Sequence, residues 1–294
     1  MKVIGIVGAT GLIGISLTRY FMAKGYSVRP ICRKRTSSMG EDWCELSKEA
    51  VSGLDVLINV SGAPIDRRWT VEYKKEMWES RVGLTNQLRV WIGGLVPDLQ
   101  PKTWINISAV GIYGDRGDEV ITEQSAIADD YLASMCSSWE AAAETDCCRV
   151  VTPRIGVVIS EDAKFWRRIC QIFSLGLGGR LASGMQWFPW LAMDDLLEAF
   201  LLIIENDALK GAVNLVSDPP VRNLEFTQLL TKALRRPAIF PVPRVLLRLA
   251  LGDFADVTLA SQRVLSKKLM DTGFKSRWNC LSDCIADLIS RKGD

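Results

Sequence analysis

Histidine is absent from this chain of 294 residues. Imidazole is therefore excluded as a general base, a proton shuttle or a metal ligand, which rules out Ser-His-Asp hydrolysis and zinc sites built from cysteine and histidine. Long apolar runs are also missing, because none reaches the ~18 residues of a membrane span. The first apolar run is short and ends in glycines, so it indicates neither a signal peptide nor a membrane helix. A cytoplasmic location is expected.

Paired cysteines and a strong net charge are missing as well. The eight cysteines contain no C-x-x-C pair, so we expect reduced thiols rather than a redox or metal site, and we predict no metal. The net charge of +2 favours neither nucleic acid nor a membrane as partner. The basic runs 33–35 and 167–168 lack the aromatic platform of a nucleic-acid interface. A small-molecule substrate is the expected partner, and a homodimer is left open.

Short β-branched runs alternate with segments of helical spacing. Strands are predicted over 3–7, 27–32, 56–60, 104–108 and 150–159, the last interrupted by Pro153 and Gly156, and helices over 12–23, 70–92 and 133–144. Further along, helices are predicted over 194–204, 241–252, 257–270 and 281–289, with a strand over 211–216. This alternation predicts an α/β fold, a Rossmann-type doubly wound parallel sheet with a small mixed C-terminal lobe on the substrate side. The Rossmann domain is placed at 1–160, with later strands returning from 161–220, and the small domain at 221–294.

A glycine-rich turn, Gly8-Ala9-Thr10-Gly11-Leu12-Ile13-Gly14, lies between the first predicted strand and the first helix. Gly8 allows a sharp turn out of the strand, Gly11 allows a pyrophosphate to approach the main chain, and Gly14 allows the helix to pack close to the sheet. The free N–H groups and the dipole of the helix favour phosphate at this end. We therefore predict a dinucleotide site that includes Gly8, Thr10, Gly11, Leu12, Ile13 and Gly14.

The end of the second strand indicates which dinucleotide is bound. NAD-specific units place an acidic residue about 20 residues beyond the glycines, where it binds the ribose hydroxyl. This chain has Cys32-Arg33-Lys34-Arg35 there, so the acid is missing and a guanidinium is present. A guanidinium suits a 2′-phosphate. The predicted cofactor is NADP(H) with Arg33 as its main contact; the alternative is that these cations form a solvated loop.

Several segments beyond the glycine turn form a specific combination: 59–65 (NVSGAPI) with Ser80-Arg81, 108–114 (SAVGIYG) with 139–143 (WEAAA), 154–158, 175–179, 190–196 and the tail 220–274. With them the chain resembles the atypical extended short-chain dehydrogenase/reductases, and more narrowly the YfcH-like epimerase family proteins of family 39U. The resemblance implies an NADP-binding Rossmann domain with a C-terminal lobe that closes over a cleft. It also implies that the cofactor contacts Cys32, Arg33, Val60, Ser61, Gly62, Glu76, Arg81 and Val158.

The Tyr-x-x-x-Lys pair of this superfamily is missing from its usual helix. Such spacing places both side chains on one helix face, where the lysine lowers the tyrosine pKa so that the hydroxyl can pass a proton. Only Tyr20 is followed by a lysine at that spacing, Lys24, and this pair lies in the first predicted helix.

The catalytic candidates that remain are Ser108 and Tyr113, with Tyr131 and Glu140 as alternative acids. Ser108 lies near the position of the substrate-holding serine, although alignment on Tyr113-Gly114 would put Ala109 there. The alternative for Ser108 is a polar residue that ends a strand.

A second departure concerns the family's Trp-x-His-x-Asp-Asp stretch, in which Ala192 replaces the histidine. Any histidine-dependent step is therefore excluded. The acids that follow, Asp194 and Asp195, either hold substrate or cap the helix that they open.

Two functions follow from these observations. The first is an NADP-dependent oxidoreductase or epimerase that acts on a sugar-nucleotide-like or other small polar substrate. The second is a non-catalytic NADP(H)-binding protein that senses redox state or binds a partner, which the missing dyad and the missing histidine favour.

Overall fold

The structure, a computed structural model, describes residues 1–238, 240–278 and 280–291. The strands are β1 (Val3–Val7), β2 (Ser27–Cys32), β3 (Cys44–Glu45), β4 (Val56–Asn59), β5 (Thr103–Asn106), β6 (Ser108–Ala109), β7 (Val120–Ile121), β8 (Arg149–Ile155), β9 (Val157–Ile159), β10 (Trp187–Phe188), β11 (Trp190–Ala192), β12 (Gly211–Leu215), β13 (Val221–Arg222) and β14 (Arg263–Val264). The α-helices are α1 (Leu12–Ala23), α2 (Val71–Trp78), α3 (Leu84–Gly93), α4 (Tyr131–Ala142), α5 (Lys164–Ser174), α6 (Met193–Glu205), α7 (Asn223–Leu234), α8 (Arg244–Leu251), α9 (Phe254–Leu259), α10 (Lys267–Asp271) and α11 (Leu281–Ser290).

One parallel sheet forms the centre of the molecule. Its strands follow the order β12-β8-β5-β4-β1-β2-β3, and β6 also pairs with β8. Helices cover both faces: α1 and α6 pack against one face, and α3 packs against the other. The predicted Rossmann-type doubly wound fold is therefore confirmed.

Apolar β-branched residues explain why the inner strands form. Ile4 and Ile6 of β1 and Leu57 and Ile58 of β4 are wholly buried, as expected for parallel strands that helices cover on both sides. Along the sheet, Val7 pairs with both Ile31 and Asn59. The carboxyl ends of these strands therefore meet at one edge, which is where open α/β sheets bind their ligands.

The predicted helix over 70–92 is one helical run that contains an irregular turn. Thr70 caps its start, because its hydroxyl accepts a hydrogen bond from the Tyr73 amide at 3.2 Å. Helices α2 and α3 are joined by a π-helical turn, Glu79–Gly83. Such turns change which side chains face the core, and this one turns Arg81 and Val82 inward.

A second apolar core lies beside the sheet. It combines Trp166 and Phe173 of α5 with Phe226 of α7 and Ile285 of α11. Two-stranded sheets pair β10 with β13, β11 with β9 and β14 with β7. Because this core takes residues from both sides of position 221, the domain boundary predicted there remains a prediction.

Two predicted elements need correction. The strand expected over 150–159 is interrupted at Gly156 as predicted, where the chain leaves the main sheet and β9 pairs with β11, but it runs through Pro153 without a break. The helix expected over 257–270 is interrupted by β14, which pairs with β7. The Gln262 side chain there donates to the carbonyls of Val110 and Gly114, contacts that a continuous helix would not make.

Within the described ranges 1–238, 240–278 and 280–291, no helix is both long and apolar enough to cross a bilayer.

Candidate functional site

The glycine turn lies at the carboxyl end of β1, between the sheet and α1. Gly8 has φ +86°, and an added Cβ would lie 2.8 Å from the Ser61 amide nitrogen. A Cβ at Gly14 would clash with the Gly8 carbonyl and lie 2.7 Å from Ala9 Cα. Both positions therefore require glycine, for the backbone conformation at Gly8 and for the close helix packing at Gly14.

The start of α1 is open toward the edge of the sheet. Gly11 is the N-cap residue of α1, and no side chain among the described residues hydrogen-bonds to the free N–H groups of this helix end. Thr10 and Gly11 are exposed, and Leu12 and Ile13 are half-buried. Uncapped helix N–H groups beside exposed glycine fit a pyrophosphate, so the predicted contacts lie together around one anion-binding turn.

Arg33 lies directly after β2, at the same edge of the sheet. Its side chain is exposed and makes no hydrogen bond or ion pair within the described residues. A free guanidinium at this position fits a ribose 2′-phosphate.

Cys32 differs from Arg33, because its side chain points inward. The thiol donates to the Cys44 carbonyl at 3.5 Å, and burial raises its pKa. Only the backbone of Cys32 is available for the predicted cofactor contact.

The loop after β4 faces the glycine turn. Val60 donates its amide to the Val7 carbonyl at 2.9 Å and is half-buried. The Ser61 amide and hydroxyl both donate to the Asn59 carboxamide oxygen. No donor among the described residues hydrogen-bonds to the Ser61 hydroxyl oxygen, so it can still accept a hydrogen bond.

A buried amide network beneath this loop is a feature that the sequence analysis missed. Asn59 donates to Asn106 at 2.7 Å and to Thr85 at 3.3 Å, and the Trp139 indole donates to Thr85 at 2.9 Å. Asn59, Asn106 and Thr85 are wholly buried. The network fixes Ser61 from below. Its only sequence signal is a polar residue at the end of two buried strands.

Arg81 lies under the same loop. Its guanidinium donates to the Ala63 carbonyl at 2.9 Å, stacks 5.3 Å from the Trp139 ring centroid, and lies within 2.9 Å of where a Cβ on Gly62 would stand. The side chain is buried, desolvation lowers its pKa, and no carboxylate pairs with it within the described residues. A buried cation without a counter-ion is costly, and a bound anion would offset that cost.

Two predicted cofactor contacts lie at less distinctive positions. Glu76 is exposed on α2, five residues before Arg81. Val158 is half-buried in β9, where it pairs with Leu191 and packs against the main core. Both remain predictions.

Ser108 is buried at the start of β6. The Cys136 thiol lies beside its hydroxyl, which has no hydrogen-bond partner of good geometry in the described part of the chain. Burial raises the pKa of Cys136 to about 12, so this thiol is protonated at neutral pH and is not a nucleophile.

Tyr113 is wholly buried, and its hydroxyl is engaged on both sides. It donates to the Asn214 carboxamide oxygen at 2.7 Å and accepts from Arg154 at 2.8 Å. Arg154 in turn makes a bidentate pair with Glu140, at 2.8 and 2.7 Å. Burial raises the Tyr113 pKa. The geometry gives Tyr113 and Glu140 structural partners, and their predicted catalytic roles are not tested by it.

The other acids singled out in the sequence also have partners. The Tyr131 hydroxyl donates to the Lys74 carbonyl at 2.9 Å. Asp195 is buried and accepts from the Ser276 hydroxyl at 2.5 Å and the Arg277 amide at 2.7 Å. Asp195 therefore fastens the C-terminal segment to α6, a structural role that differs from the predicted capping, because no side chain among the described residues caps α6.

Two family models match this chain. The model described as the NAD dependent epimerase/dehydratase family matches residues 4–215, and a domain of unknown function, DUF1731, matches residues 242–288. The fold and the glycine turn define a short-chain dehydrogenase type of Rossmann protein. Within that class, the chain belongs to the NAD-dependent epimerase/dehydratase family.

Known proteins resemble the chain over almost its whole length. Epimerase family protein Mb2239 of Mycobacterium bovis is 35% identical, with 99% of each chain covered. The human epimerase family protein SDR39U1, solved with NADPH, is 29% identical with a TM-score of 0.91, covering 98% of this chain and 99% of its own. The nucleoside-diphosphate sugar epimerase of Corynebacterium glutamicum is 30% identical with a TM-score of 0.79, covering 97% of this chain and 57% of its own.

These similarities confirm the resemblance that the sequence motifs indicated. The predicted cofactor class, a nicotinamide dinucleotide, is confirmed by the family, and the human relative was solved with the phosphorylated form, NADPH.

Proposed function

We propose that this chain binds NADP(H) at the glycine turn and acts as an epimerase-family oxidoreductase on a small polar substrate, a sugar nucleotide or a compound like it. The observation that carries the cofactor choice is Arg33, an exposed guanidinium without a partner in the described structure, placed directly after β2. No acid occupies that place to bind ribose hydroxyls. The NADPH in the human relative supports the same choice.

The residues fit such a group in three further respects. Glycines at positions 8 and 14 leave room that a Cβ would fill. Among the described residues, no side chain caps the start of α1 and no carboxylate pairs with buried Arg81. When bound, the cofactor supplies a hydride donor or acceptor. The chain's own groups bind its phosphates, hold the loop after β4 and exclude water beneath it.

A charge reversal at one position tests the cofactor choice. Arg33→Glu is expected to weaken NADPH binding by at least tenfold and NADH binding by much less, because a charge-assisted Arg–phosphate hydrogen bond contributes about 1.5–3 kcal/mol. Arg89→Glu, an exposed residue on α3, is the control and leaves both affinities unchanged. An equal loss for both dinucleotides in Arg33→Glu would overturn the choice.

A second function is favoured by one specific observation. All three acids considered for proton transfer, Tyr113, Tyr131 and Glu140, are held by protein partners. A non-catalytic NADP(H)-binding protein, a redox sensor or a partner-binding protein, needs no free acid. Mixing the protein and NADPH with a panel of carbonyl substrates, sugar nucleotides included, and following NADPH absorbance separates the two. Turnover of any substrate supports the oxidoreductase, and binding without turnover across the panel supports the sensor.

A further inference from the structure

The near-neutral net charge hides a strong asymmetry along the chain. Residues 163–193 contain four Lys or Arg and no acid, and residues 226–252 contain five and no acid. The rest of the chain carries 27 Lys and Arg against 34 Asp and Glu. Two segments are therefore strongly basic, and the remainder of the molecule is acidic.

The two basic segments lie side by side. The Val242 amide donates to the Arg180 carbonyl at 2.8 Å, and the Ala182 amide donates to the Val242 carbonyl at 2.9 Å. Deeper in, α5 and α7 share one apolar core, and Ala238 packs against it. Their charges therefore add on one side of the molecule.

This side also exposes large apolar side chains. Six of them are at least 56% exposed: Leu175, Leu177, Phe240, Val245, Leu246 and Leu249. They come from the end of α5, the segment before α8, and α8 itself, in which Leu247 alone is buried. We call these six residues and the cations of the two segments the basic apolar face.

Six of the nine cations of the basic apolar face have no counter-ion among the residues that the structure describes. Arg167 pairs with Asp162 at 2.6 Å, and Arg244 and Arg248 share Asp256 at 3.0 and 2.9 Å. The other six make no ion pair within the described ranges: Lys164, Arg168, Arg180, Lys232, Arg235 and Arg236. The face therefore combines unpaired positive charge with protruding aliphatic and aromatic groups.

We propose that the basic apolar face docks on the surface of an anionic phospholipid bilayer. Amphipathic surfaces bind such membranes by inserting apolar side chains between headgroups while Lys and Arg contact the lipid phosphates. Nucleic acid offers the same negative charge but no apolar phase for Leu175, Leu177 and α8. A membrane accounts for both the cations and the exposed apolar side chains of the basic apolar face. The net charge of +2 does not indicate this surface, because it averages over the basic segments and the acidic remainder of the chain.

Vesicle flotation of the full chain tests this proposal. The protein is expected to float with vesicles of equimolar phosphatidylcholine and phosphatidylglycerol and not with phosphatidylcholine alone, and added salt weakens the binding. Leu177→Glu and the double variant Arg235→Glu, Arg236→Glu are each expected to reduce binding by about tenfold or more. Val90→Glu and Arg89→Glu, exposed positions on α3, are the matched controls and keep binding.

Circular dichroism shows whether each variant is folded. Should Leu177→Glu not fold, Leu177→Ser replaces it with the same expected direction. The proposal is overturned if the wild-type chain does not bind anionic vesicles, or if the α3 variants lose binding as much as the face variants do. It is equally overturned if the face variants abolish a dimer in solution, or binding to an RNA duplex, while vesicle binding is unchanged.

Discussion

The close packing of α1 against the glycine turn makes a quantitative prediction for Gly14→Ala. A Cβ at this position would lie 2.7 Å from Ala9 Cα and 2.9 Å from the Gly8 carbonyl carbon, where ordinary contact begins at 3.4 Å. These neighbours are backbone atoms and have no rotamer to change. The nearest clash is with the Gly8 carbonyl oxygen, so the helix and the turn must separate by about 1 Å.

The expected size of the effect combines two opposing contributions. Overpacking of this kind costs about 1–3 kcal/mol. Replacing a helical glycine by alanine stabilises the helix by roughly 0.5–1 kcal/mol. Gly14→Ala should therefore lower the free energy of unfolding by up to about 2.5 kcal/mol, and by about 1–3 kcal/mol relative to a helical glycine-to-alanine change without such a clash. It should also weaken NADPH binding, because the N–H groups of α1 move away from the phosphates.

Urea unfolding, followed by tryptophan fluorescence, measures this change against two glycine controls. Gly93→Ala on α3 meets no atom within 4 Å and should be neutral or slightly stabilising. Gly11→Ala meets only the Gly8 carbonyl, at 3.4 Å, and should keep its stability while losing NADPH affinity. If Gly14→Ala were as stable as Gly93→Ala, the packing argument would be refuted.

Three further variants test other parts of the structure. Tyr113→Phe removes one buried hydrogen-bond partner from the Asn214 carboxamide oxygen and one from Arg154, and should cost about 1–3 kcal/mol of unfolding free energy; a wild-type urea midpoint would contradict this. Arg81→Met should weaken NADPH binding about tenfold, because its unpaired cation lies under the loop after β4; lower stability with an unchanged Kd would assign it a purely structural role. Hydrogen bonds from the Val3 amide and Lys102 hold the pKa of Asp55 below its usual range. The ionised carboxylate therefore stabilises the folded chain above about pH 4–5, and this stabilisation is lost as the pH falls. Asp55→Asn should flatten the acid limb of a stability–pH profile, and an unaltered limb would contradict this prediction.

The parts of the fold that follow local rules could be predicted from the sequence. The turn from Gly8 to Gly14, α1 and β2 all follow from glycine spacing and apolar periodicity, and the structure has each of them. The position of Arg33 at the end of β2 could also be predicted, because it depends only on the distance from the glycines; its contact with a 2′-phosphate stays a prediction.

Features that depend on distant contacts could not be predicted. Tyr113, Arg154 and Asn214 meet across 41 and 101 positions, and no local pattern marks them. The segment 257–270 has apolar residues at helical spacing, yet Gln262 and β14 find partners in the loops after β6 and in β7. Tertiary hydrogen bonds there outweigh helix propensity.

Cofactor specificity is tested most directly by the affinity of the wild-type chain for the two dinucleotides, measured by isothermal titration calorimetry in one buffer. We predict that NADPH binds at least about tenfold more tightly than NADH, because only NADPH carries the 2′-phosphate that we propose Arg33 to contact. Equal affinities, or tighter binding of NADH, would contradict the proposed NADP(H) specificity.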